Sequence, residues 1–398
     1  MATSVALETR EARRMGDGRR ILMFLTSLDD EGGAEVQVVQ LAIRLHSRGW
    51  KVMVVSMLRP QSAEARLRSA GIPVFGLNMT PSVPDPRALL RLRRIVAGFK
   101  PHVMHAHMAH ASLMARSLRL VARIPRLICT LHGARMYNTR GQGWALRELA
   151  HRFTDPLANR TTAVSREAAA HYTATGAVSQ KRMFVVYNGI DCEKYNFDAG
   201  MRMMMRSELG LTGQFVWLAA GRLQQVKDFP TMLRAFALAC DDRPDSLLLI
   251  AGDGVLKPEL QQLASELHIE SKVRFLGRRK DVPALMSAAD GFLLTSVFEG
   301  LPLVLLEAAA SKLPAVATNT GGNSEALVDG RTGYLAEVGN PASIAASMLR
   351  LCQQPQAELQ EMQHAAREHA RNNFEFSGIV RQWERVYEEV IAPQGAKR

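Results

Sequence analysis

The chain has 398 residues, 47% of them hydrophobic, which is too long for one ordinary core and predicts two domains. No apolar run approaches the roughly 20 residues of a transmembrane helix, the N-terminus lacks the apolar core of a secretion signal, and four scattered cysteines predict a reducing cytoplasm. The net charge is +12, but aromatic residues make up 6% and do not interleave with the arginines, so nucleic acid is not a predicted partner.

Strands and helices are predicted to alternate through the first half of the chain. A β-rich run at 19–28 is followed by a glycine break at Gly32 and Gly33, a helix of 3.6-residue period, and a strand at 51–57, which is a βαβ unit. Further strands are predicted at 73–79, 102–107, 126–133, 160–165 and 182–191. The sequence therefore predicts a Rossmann-like domain over 20–192, preceded by a mobile tail over 1–19.

The alternation restarts after a predicted linker at 193–213, which contains a methionine run at 201–205. Strands are predicted at 215–223, 246–254, 272–278, 291–296 and 314–322, with helices between them. This pattern predicts a second Rossmann-like domain over 214–375 and a last helix in 376–398 that crosses back to the first domain. The expected fold is α/β, with two tandem parallel-sheet domains facing across a cleft, and parallel sheets bind ligands at the carboxyl ends of their strands. The methionine run is interpreted as an apolar plug, with a metal or partner site as the alternative.

The segment SVFEGLPLVLLEAAA, residues 296–310, places two carboxylates in an apolar run. Glu299 is predicted on the turn after a strand and Glu307 on the following helix. The first backbone N–H groups of that helix and the helix dipole favour a phosphate. These donors belong to Gly300, Leu301, Leu303 and Val304. Carboxylates beside a phosphate site are explained if they accept hydrogen bonds from sugar hydroxyls, and two surface glutamates are the alternative.

The spacing of these two glutamates resembles the signature of retaining glycosyltransferase family four, also called glycosyl transferases group 1. Other segments resemble motifs of the same family in the same order: EGGAE at 31–35, YNGID at 187–191, GRLQQVKDF at 221–229, IAGDG at 250–254, FLGRRKDV at 275–282 and TNTGGNSEALVDGRTGYL at 318–335. The resemblance covers about residues 20–390. It implies the glycosyltransferase-B architecture.

The resemblance implies a nucleotide-sugar site in the second domain. Glu307 would bind the ribose hydroxyls and Glu299 the hydroxyls of the donor sugar. Arg222 and Lys227 would hold the diphosphate, because fixed cations stabilise the charge that develops on a leaving diphosphate. The loops that bind the nucleotide would include Gly221, Gly254 and Arg278. The alternative is that Arg222 and Lys227 are ordinary surface residues that bind no phosphate.

The implied reaction retains the anomeric configuration, and many members are thought to use the leaving phosphate as the base. A dedicated nucleophile is therefore not expected. No Asp-x-Asp cluster is placed to hold a metal ion near the diphosphate, so no metal and no other cofactor is expected.

The first domain would bind the acceptor. Gly32 and Gly33 allow a close backbone approach to the donor phosphate. His107, His132 and Asn188 are candidate contacts to the donor sugar or the acceptor, and His107 is also a candidate catalytic residue. Structural histidines are the alternative, and His105 with His107 would resemble a metal pair that lacks a third ligand.

The predicted function is transfer of a hexose from a nucleotide-diphosphate sugar to a glycan or lipid-linked acceptor in cell-surface polysaccharide biosynthesis. A UDP-sugar is favoured as donor, and a GDP-mannose-dependent mannosyltransferase is the alternative. A nucleotide-sugar epimerase and a non-catalytic nucleotide-sugar-binding protein are alternatives of other classes. Residues 1–198 carry 29 Lys and Arg against 15 Asp and Glu, and basic runs at 87–100 and 115–126 indicate either a solvated helix face or a peripheral contact with the inner face of an anionic membrane. The oligomeric state is open.

Overall fold

The computed structural model describes residues 18–29, 32–81, 83, 85–133 and 143–392, with only the helical backbone given for 143–147. Most of the predicted tail, and Glu31 of the first glycine motif, therefore lie outside the described residues. The described chain forms two compact units. The first unit runs to Tyr187 and resumes at Ser377, and the second unit is Asn188–Phe376.

The first unit is built on a seven-stranded sheet in the order β3-β2-β1-β4-β5-β6-β7, with every pairing parallel. Its strands are β1 (Arg20–Leu25), β2 (Lys51–Ser56), β3 (Val74–Gly76), β4 (Val103–His107), β5 (Leu127–Leu131), β6 (Arg160–Ala163) and β7 (Met183–Val185). The helices between them are α1 (Gly33–Ser47), α2 (Ala63–Ser69), α3 (Pro86–Phe99), α4 (Ala109–Leu118), α5 (Gly143–Thr154) and α6 (Arg166–Ala174). The chain order reverses between β1 and β4, which is the switch point where such sheets bind ligands.

Local sequence explains these elements. Strand β1 is RILMFL, with its last five residues buried, as expected of a parallel strand covered on both faces. Asp85 begins α3 by accepting a hydrogen bond from the Arg87 N–H, and Ser165 begins α6 by accepting one from the Ala168 N–H. Such side-chain caps satisfy backbone donors that the first helical turn leaves free.

The second unit is built on a six-stranded sheet in the order β10-β9-β8-β11-β12-β13, again with every pairing parallel. Its strands are β8 (Phe215–Ala220), β9 (Ser246–Ala251), β10 (Val273–Gly277), β11 (Gly291–Leu294), β12 (Ala315–Thr318) and β13 (Gly333–Ala336). Its helices are α7 (Ala199–Glu208), α8 (Phe229–Asp242), α9 (Lys257–Glu266), α10 (Val282–Ala288), α11 (Leu303–Ala310), α12 (Asn323–Ala326), α13 (Pro341–Cys352) and α14 (Gln356–Phe374). The switch point of this sheet lies between β8 and β11.

The last helix, α15 (Phe376–Ile391), belongs to the first unit from Ser377 onward. Glu384 on this helix is fully buried and receives two hydrogen bonds from Arg48, at 2.9 and 2.7 Å, and one from Trp50 Nε1 at 3.2 Å. The Tyr387 hydroxyl lies 2.8 Å from His105 Nδ1. A buried carboxylate is tolerated only when it is paired in this way, so these contacts fix the helix on the first unit.

The unit boundaries differ from the predicted domains in one respect. The predicted linker 193–213 is part of the second unit, where Arg202 on α7 donates to the carbonyl oxygens of Ser287, Ala288 and Ala289. The chain instead passes between the units after Tyr187 and after Phe376. In the methionine run only Met205 is buried, so the run is not the continuous apolar plug that was expected.

The second basic run contains a core residue. Arg116 on α4 is fully buried, and its guanidinium donates to Thr161 Oγ1 at 2.9 Å and lies 3.6 Å from the Asp155 carboxylate. The expected row of solvated arginines is therefore wrong at this position, because the side chain is enclosed by residues of α5, of the turn that follows it and of β6.

The structure also contains elements that the sequence pattern did not single out, among them α2, β13, α13 and α14. Within the described ranges, no helix combines the length and the apolar character that crossing a membrane requires.

Candidate functional site

An ion pair spans the switch point of the second unit. Lys227 lies in the loop after β8 and Glu299 in the loop after β11, and Lys227 Nζ is 2.6 Å from Glu299 Oε1. Ser296 Oγ donates to the same carboxylate oxygen at 2.7 Å. The two charged side chains are only 20% and 14% exposed. The structure thus brings together two of the four predicted catalytic residues at the edge where parallel sheets bind ligands.

Main-chain contacts hold the two loops of the ion pair together. The Val297 N–H donates to the Val226 carbonyl at 2.9 Å, and Thr295 Oγ1 donates to the Lys227 carbonyl at 3.0 Å. Asp228, next to Lys227, has a φ of 48°, a left-handed conformation that few non-glycine residues adopt. Such strain persists only where surrounding contacts enforce it, so these contacts fix the backbone on which Lys227 stands.

Neighbouring loops at this edge approach each other backbone to backbone. A Cβ on Gly252 would lie 1.9 Å from the Gly221 carbonyl oxygen, and one on Gly254 would lie 2.5 Å from the Leu223 carbonyl oxygen. A Cβ on Gly321 would lie 1.9 Å from the Glu299 carbonyl oxygen. Glycine is required where backbones pack this closely. The glycines therefore serve the packing of the loops, and the predicted glycine residues Gly221 and Gly254 both belong to it.

The helix that follows Glu299 presents free backbone donors. Helix α11 begins at Leu303, directly after Pro302, which stands at the N-cap. Among the described residues, no backbone hydrogen bond is donated by the four predicted anion-binding N–H groups. These belong to Gly300, Leu301, Leu303 and Val304. Free N–H groups at a helix N-terminus are suited to a phosphate, and here they stand one loop away from the Lys227 ammonium.

Glu307 lies on α11 and is partly buried. Burial raises the pKa of the Glu307 carboxyl, and the Tyr195 hydroxyl and the Lys194 ammonium act in the opposite direction. Tyr195 itself is buried. The sequence reasoning missed Ser296, since its hydrogen bond to Glu299 has no signal in the local pattern.

Two other predicted residues of this unit, Arg222 and Arg278, lie on the same edge but are not part of the Lys227–Glu299 ion pair. Arg222 is exposed directly after Gly221, and Arg278 is exposed directly after β10. The neighbouring Arg279 forms a two-point ion pair with Asp281, at 2.8 and 2.5 Å. The loops after β10, β9, β8 and β11 are consecutive along the sheet, so these side chains line one continuous edge.

Three histidines cluster at the switch point of the first unit. His105 is fully buried, with Nε2 at 2.6 Å from Thr130 Oγ1 and Nδ1 held by Tyr387. His107 Nδ1 lies 3.2 Å from His132 Nε2, and the rings of His105 and His107 are 3.8 Å apart. Met108, next to His107, has a φ of 71°, which is unusual for a bulky residue. His105 is thus a satisfied structural histidine, whereas His107 Nε2 and His132 Nδ1 have no hydrogen-bond partner among the described residues.

Burial disfavours the charged form of both paired histidines. Burial lowers the pKa of His107 well below its usual value and lowers the pKa of His132 to about 4. A neutral imidazole has one N–H donor and one acceptor nitrogen. Because the His107–His132 contact consumes one donor and one acceptor, the two outer nitrogens are always one donor and one acceptor.

The glycine motif of the first unit is arranged differently from the expectation. Gly32 is the N-cap of α1, and the space that a Cβ would fill is taken by the Glu35 carboxylate, whose Oε2 lies 1.9 Å from the Cβ position. Ser27 Oγ donates to Glu35 Oε1 at 2.5 Å, and the Gly32 N–H donates to Asp29 Oδ1 at 3.1 Å. Carboxylates therefore occupy the surroundings of Gly32, whereas Gly33 is exposed on the first turn.

Two further predictions concern Asn188 and metal binding. Asn188 is buried as the first residue of the second unit, followed by Gly189, where a Cβ would lie 2.7 Å from the Phe376 ring. Within the described part of the chain, no group of three or more His, Cys, Asp or Glu residues could hold a metal ion.

Comparison with known proteins agrees with this architecture. Residues 204–373 match the family model "Glycosyl transferases group 1", and residues 31–194 match "Glycosyltransferase Family 4". Two solved structures share the fold: Anabaena HepE in complex with UDP (TM-score 0.81, 23% identity, 93% of this chain and 100% of that chain) and a glycosyltransferase from Rickettsia africae (TM-score 0.80, 17% identity, 95% and 100%). The two Rossmann-like units thus define a protein of the glycosyltransferase-B class.

The chain is also similar in sequence to two relatives. The N-acetyl-alpha-D-glucosaminyl L-malate synthase of Bacillus anthracis is 31% identical over 292 residues, which are 73% of this chain and 75% of that protein. An Escherichia coli UDP-Gal:alpha-D-GlcNAc-diphosphoundecaprenol alpha-1,3-galactosyltransferase is 25% identical over 290 residues, 72% and 75% of the two chains. The chain belongs to glycosyltransferase family four, and the predicted family and fold are confirmed.

Proposed function

We propose that the protein is a retaining glycosyltransferase that moves a hexose from a UDP-sugar to a glycan or lipid-linked acceptor in cell-surface polysaccharide biosynthesis. The observation that carries the proposal is the Lys227–Glu299 ion pair, 2.6 Å long, at the switch point of the second sheet and beside the free N-terminus of α11. A cation and free backbone N–H groups suit a diphosphate. The two carboxylates, Glu299 and Glu307, suit the hydroxyls of a sugar and a ribose.

The choice of donor and acceptor is supported by the relatives. The galactosyltransferase from E. coli is named for a UDP-sugar donor and a diphosphoundecaprenol-linked acceptor. HepE was crystallised with UDP and also with UDP-glucose. These names favour uridine over guanosine here, and the name of the E. coli relative favours a lipid-linked acceptor.

The proposed reaction assigns roles to the described side chains without a metal ion. Lys227 and Arg222 neutralise the diphosphate as the bond between the anomeric carbon and the phosphate oxygen breaks. The acceptor hydroxyl attacks that carbon from the same face and gives its proton to a leaving phosphate oxygen, so the products are a glycoside and UDP. Glu299, held by Ser296, accepts hydrogen bonds from hydroxyls of the donor sugar. The His107–His132 pair binds a sugar or acceptor hydroxyl through its one donor and one acceptor.

Removing the Glu307 carboxylate is expected to weaken UDP binding. Glu307→Ala should lose about 1–3 kcal/mol of binding free energy, the scale of a hydrogen bond to a charged group. The measurement is calorimetric titration with UDP. A matched control is Glu361→Ala, which removes an exposed carboxylate from α14. If Glu307→Ala bound UDP as tightly as the unaltered protein does, the proposal that Glu307 binds the ribose hydroxyls would be wrong.

A basic face of the first unit is proposed to contact anionic lipid. On α3, Arg93 and Arg94 are exposed beside Leu90, which is 53% exposed. Arg91 is not part of this face, since it donates to Asp85 at 2.5 Å and to the Leu77 carbonyl at 2.7 Å. Each basic side chain near an anionic bilayer contributes about 1 kcal/mol.

Reversing both charges is therefore expected to lower recovery on vesicles by about 10-fold or more. The variant is Arg93→Glu with Arg94→Glu, measured by flotation with phosphatidylglycerol vesicles. The control is Arg234→Glu with Arg331→Glu, which makes the same charge change on exposed positions of the second unit. Unchanged flotation of the α3 variant would contradict the proposed contact.

Transfer itself is tested by supplying UDP-hexoses and a polyprenyl-diphosphate-linked sugar in the presence of a chelator. The proposal expects release of UDP that depends on the acceptor, and a product whose new bond has the anomeric configuration of the donor. A product of inverted configuration would refute the retaining mechanism. UDP-sugar converted to an epimer without any acceptor would identify an isomerase instead.

A further inference from the structure

A buried chain of hydrogen bonds runs from the last helix to the histidine cluster of the first unit. The Tyr387 hydroxyl on α15 lies 2.8 Å from His105 Nδ1 on β4, and His105 Nε2 lies 2.6 Å from Thr130 Oγ1 on β5. Thr130 Oγ1 lies in turn 2.7 Å from Thr162 Oγ1 on β6. All four side chains are buried, so the last helix shares one polar network with three strands of the sheet.

The surroundings of Tyr387 determine the direction of these hydrogen bonds. His105 is the only hydrogen-bond partner of its hydroxyl among the described residues, and a buried hydroxyl donates to the acceptor within its reach. The Tyr387 O–H therefore donates to His105 Nδ1. Because a neutral imidazole has one N–H, the proton of His105 lies on Nε2, and this N–H donates to Thr130. Burial lowers the pKa of His105 well below its usual value, which favours this neutral form.

The His105 ring packs against the ring of His107, the last residue of β4. The centres of the two rings are 3.8 Å apart, and the ring of Trp383 on α15 lies 4.6 Å from the other neighbour, His105. His107 Nδ1 contacts His132 Nε2 at 3.2 Å, whereas His107 Nε2 is buried without a hydrogen-bond partner among the described residues. Because side chains two residues apart share one face of a strand, a fixed His105 ring restricts rotation of the His107 ring. His107 is thus held on two sides, and Nε2 is its nitrogen available to a substrate.

The His105 ring links Tyr387 on the last helix to His107 at the switch point. We propose that Tyr387 is a positioning residue for sugar transfer, which acts through His105 to hold the His107 ring in the orientation that contacts the donor sugar or the acceptor. This inference rests on the proposed function, in which His107 contacts the substrate. Without the phenol, His105 Nδ1 becomes a buried acceptor with no partner, a state that folded proteins avoid. The ring is then free to turn, and His107 loses its support on that side.

Tyr387→Phe is expected to slow transfer and to leave nucleotide binding unchanged. Phenylalanine keeps the ring that packs against Trp50 and Trp383, whose centres lie 5.5 and 5.6 Å away, so only the hydroxyl is removed. Turnover should fall about 10- to 100-fold, the range for a small misplacement of a group that contacts the substrate. UDP affinity should be unchanged, because the nucleotide site is proposed on the second unit.

A double-variant cycle separates positioning from a structural role. The proteins are the unaltered chain, Tyr387→Phe, His107→Ala and the double variant, each assayed for kcat of transfer and titrated with UDP by calorimetry. Because Tyr387 acts through His107, we expect the double variant to turn over as slowly as His107→Ala and no more slowly. Glu388→Gln is the matched control, since it breaks the 3.2 Å ion pair of the next residue on α15 with Arg19 and leaves the hydrogen bonds of His105 in place. The control should keep both turnover and UDP affinity.

Nitrogen NMR of the unaltered chain tests the direction of the hydrogen bonds without depending on how any variant behaves in the assay. The ¹⁵N shifts of a histidine ring distinguish a protonated nitrogen from an unprotonated one. With ¹⁵N-labelled histidine, and His105→Gln to assign the signals, we expect a neutral His105 ring that is protonated at Nε2. In Tyr387→Phe the Nδ1 signal should shift. A His105 ring protonated at Nδ1, or at both nitrogens, would overturn the proposal.

The kinetic outcomes separate this inference from the function on which it rests. Transfer by the unaltered chain with equal turnover in Tyr387→Phe would overturn the role of Tyr387 and leave the proposed function intact. If the losses of Tyr387→Phe and His107→Ala added in the double variant, the tyrosine would act on the fold rather than on His107, and the inference would be wrong. Absence of transfer by the unaltered chain with every UDP-hexose and polyprenyl-linked acceptor would overturn the proposed function itself.

Discussion

Replacing Lys227 with alanine is expected to lower the turnover of sugar transfer about 100-fold or more, the scale of losing one fixed group that stabilises developing charge. The ammonium is held at the switch point by Glu299 at 2.6 Å and by a strained loop. Its charge therefore requires little rearrangement when the diphosphate becomes more negative. UDP affinity should fall less than turnover does, because the charge on the diphosphate is largest as the bond breaks.

The measurement compares kcat for transfer with the dissociation constant for UDP in the same variant. Lys272→Ala is the matched control, since Lys272 precedes β10 and so lies at the opposite, amino edge of the same sheet. The control should keep both quantities. Turnover of Lys227→Ala equal to that of the unaltered protein would contradict its role in stabilising the leaving diphosphate. A loss confined to UDP affinity would also contradict that role, because it would leave Lys227 with ground-state binding alone.

Replacing Gly252 with alanine is expected to damage both stability and nucleotide binding. The new Cβ would lie 1.9 Å from the Gly221 carbonyl oxygen and 2.9 Å from the Gly221 carbonyl carbon. Both are backbone atoms, so the loops after β8 and β9 must separate. Overpacking of this kind destabilises proteins by about 1–3 kcal/mol and sometimes more. Because Arg222 and Lys227 lie on the displaced loop, UDP binding should be lost in the folded fraction as well.

Chemical denaturation followed by UDP titration measures the two effects. Gly98→Ala on α3 is the control, because nothing lies within 4 Å of its Cβ position and alanine in a helix is favoured over glycine by about 0.5–1 kcal/mol. The control should be as stable as the unaltered protein or slightly more so. A Gly252→Ala protein with undiminished stability and UDP affinity would contradict the packing described for this edge.

The alternating strands and helices were predictable because parallel strands covered on both faces are continuous apolar runs. Strands β1, β8 and β9 are such runs, and the glycines between strands and helices indicated the loops. The place where the chain leaves the first unit was not predictable. It depends on Ile190 pairing with Phe374 and Phe376, and a pairing between distant segments leaves no local pattern.

The candidate site was predictable only in its residue types. The spacing of Glu299 and Glu307 and the position of Lys227 after a strand indicated one sheet edge, and the structure joins Lys227 to Glu299. Tyr195, whose hydroxyl lowers the pKa of Glu307, lies within the region read as a linker, so no pattern pointed to it. In the first unit the spacing of His105 and His107 indicated one face of a strand. Which of the two is structural depends on Tyr387 and His132, which lie on other elements.

The central claim is a metal-independent nucleotide-diphosphate site in the second unit. Its most direct test is calorimetric titration of the full chain with UDP and with GDP in the presence of a chelator, beside Glu307→Ala. The account predicts that UDP binds with a dissociation constant of about 1–100 μM, or roughly −8 to −5 kcal/mol, more tightly than GDP, and that the variant binds it more weakly. Absence of binding by both nucleotides, or binding that appears only when a divalent metal is restored, would contradict it.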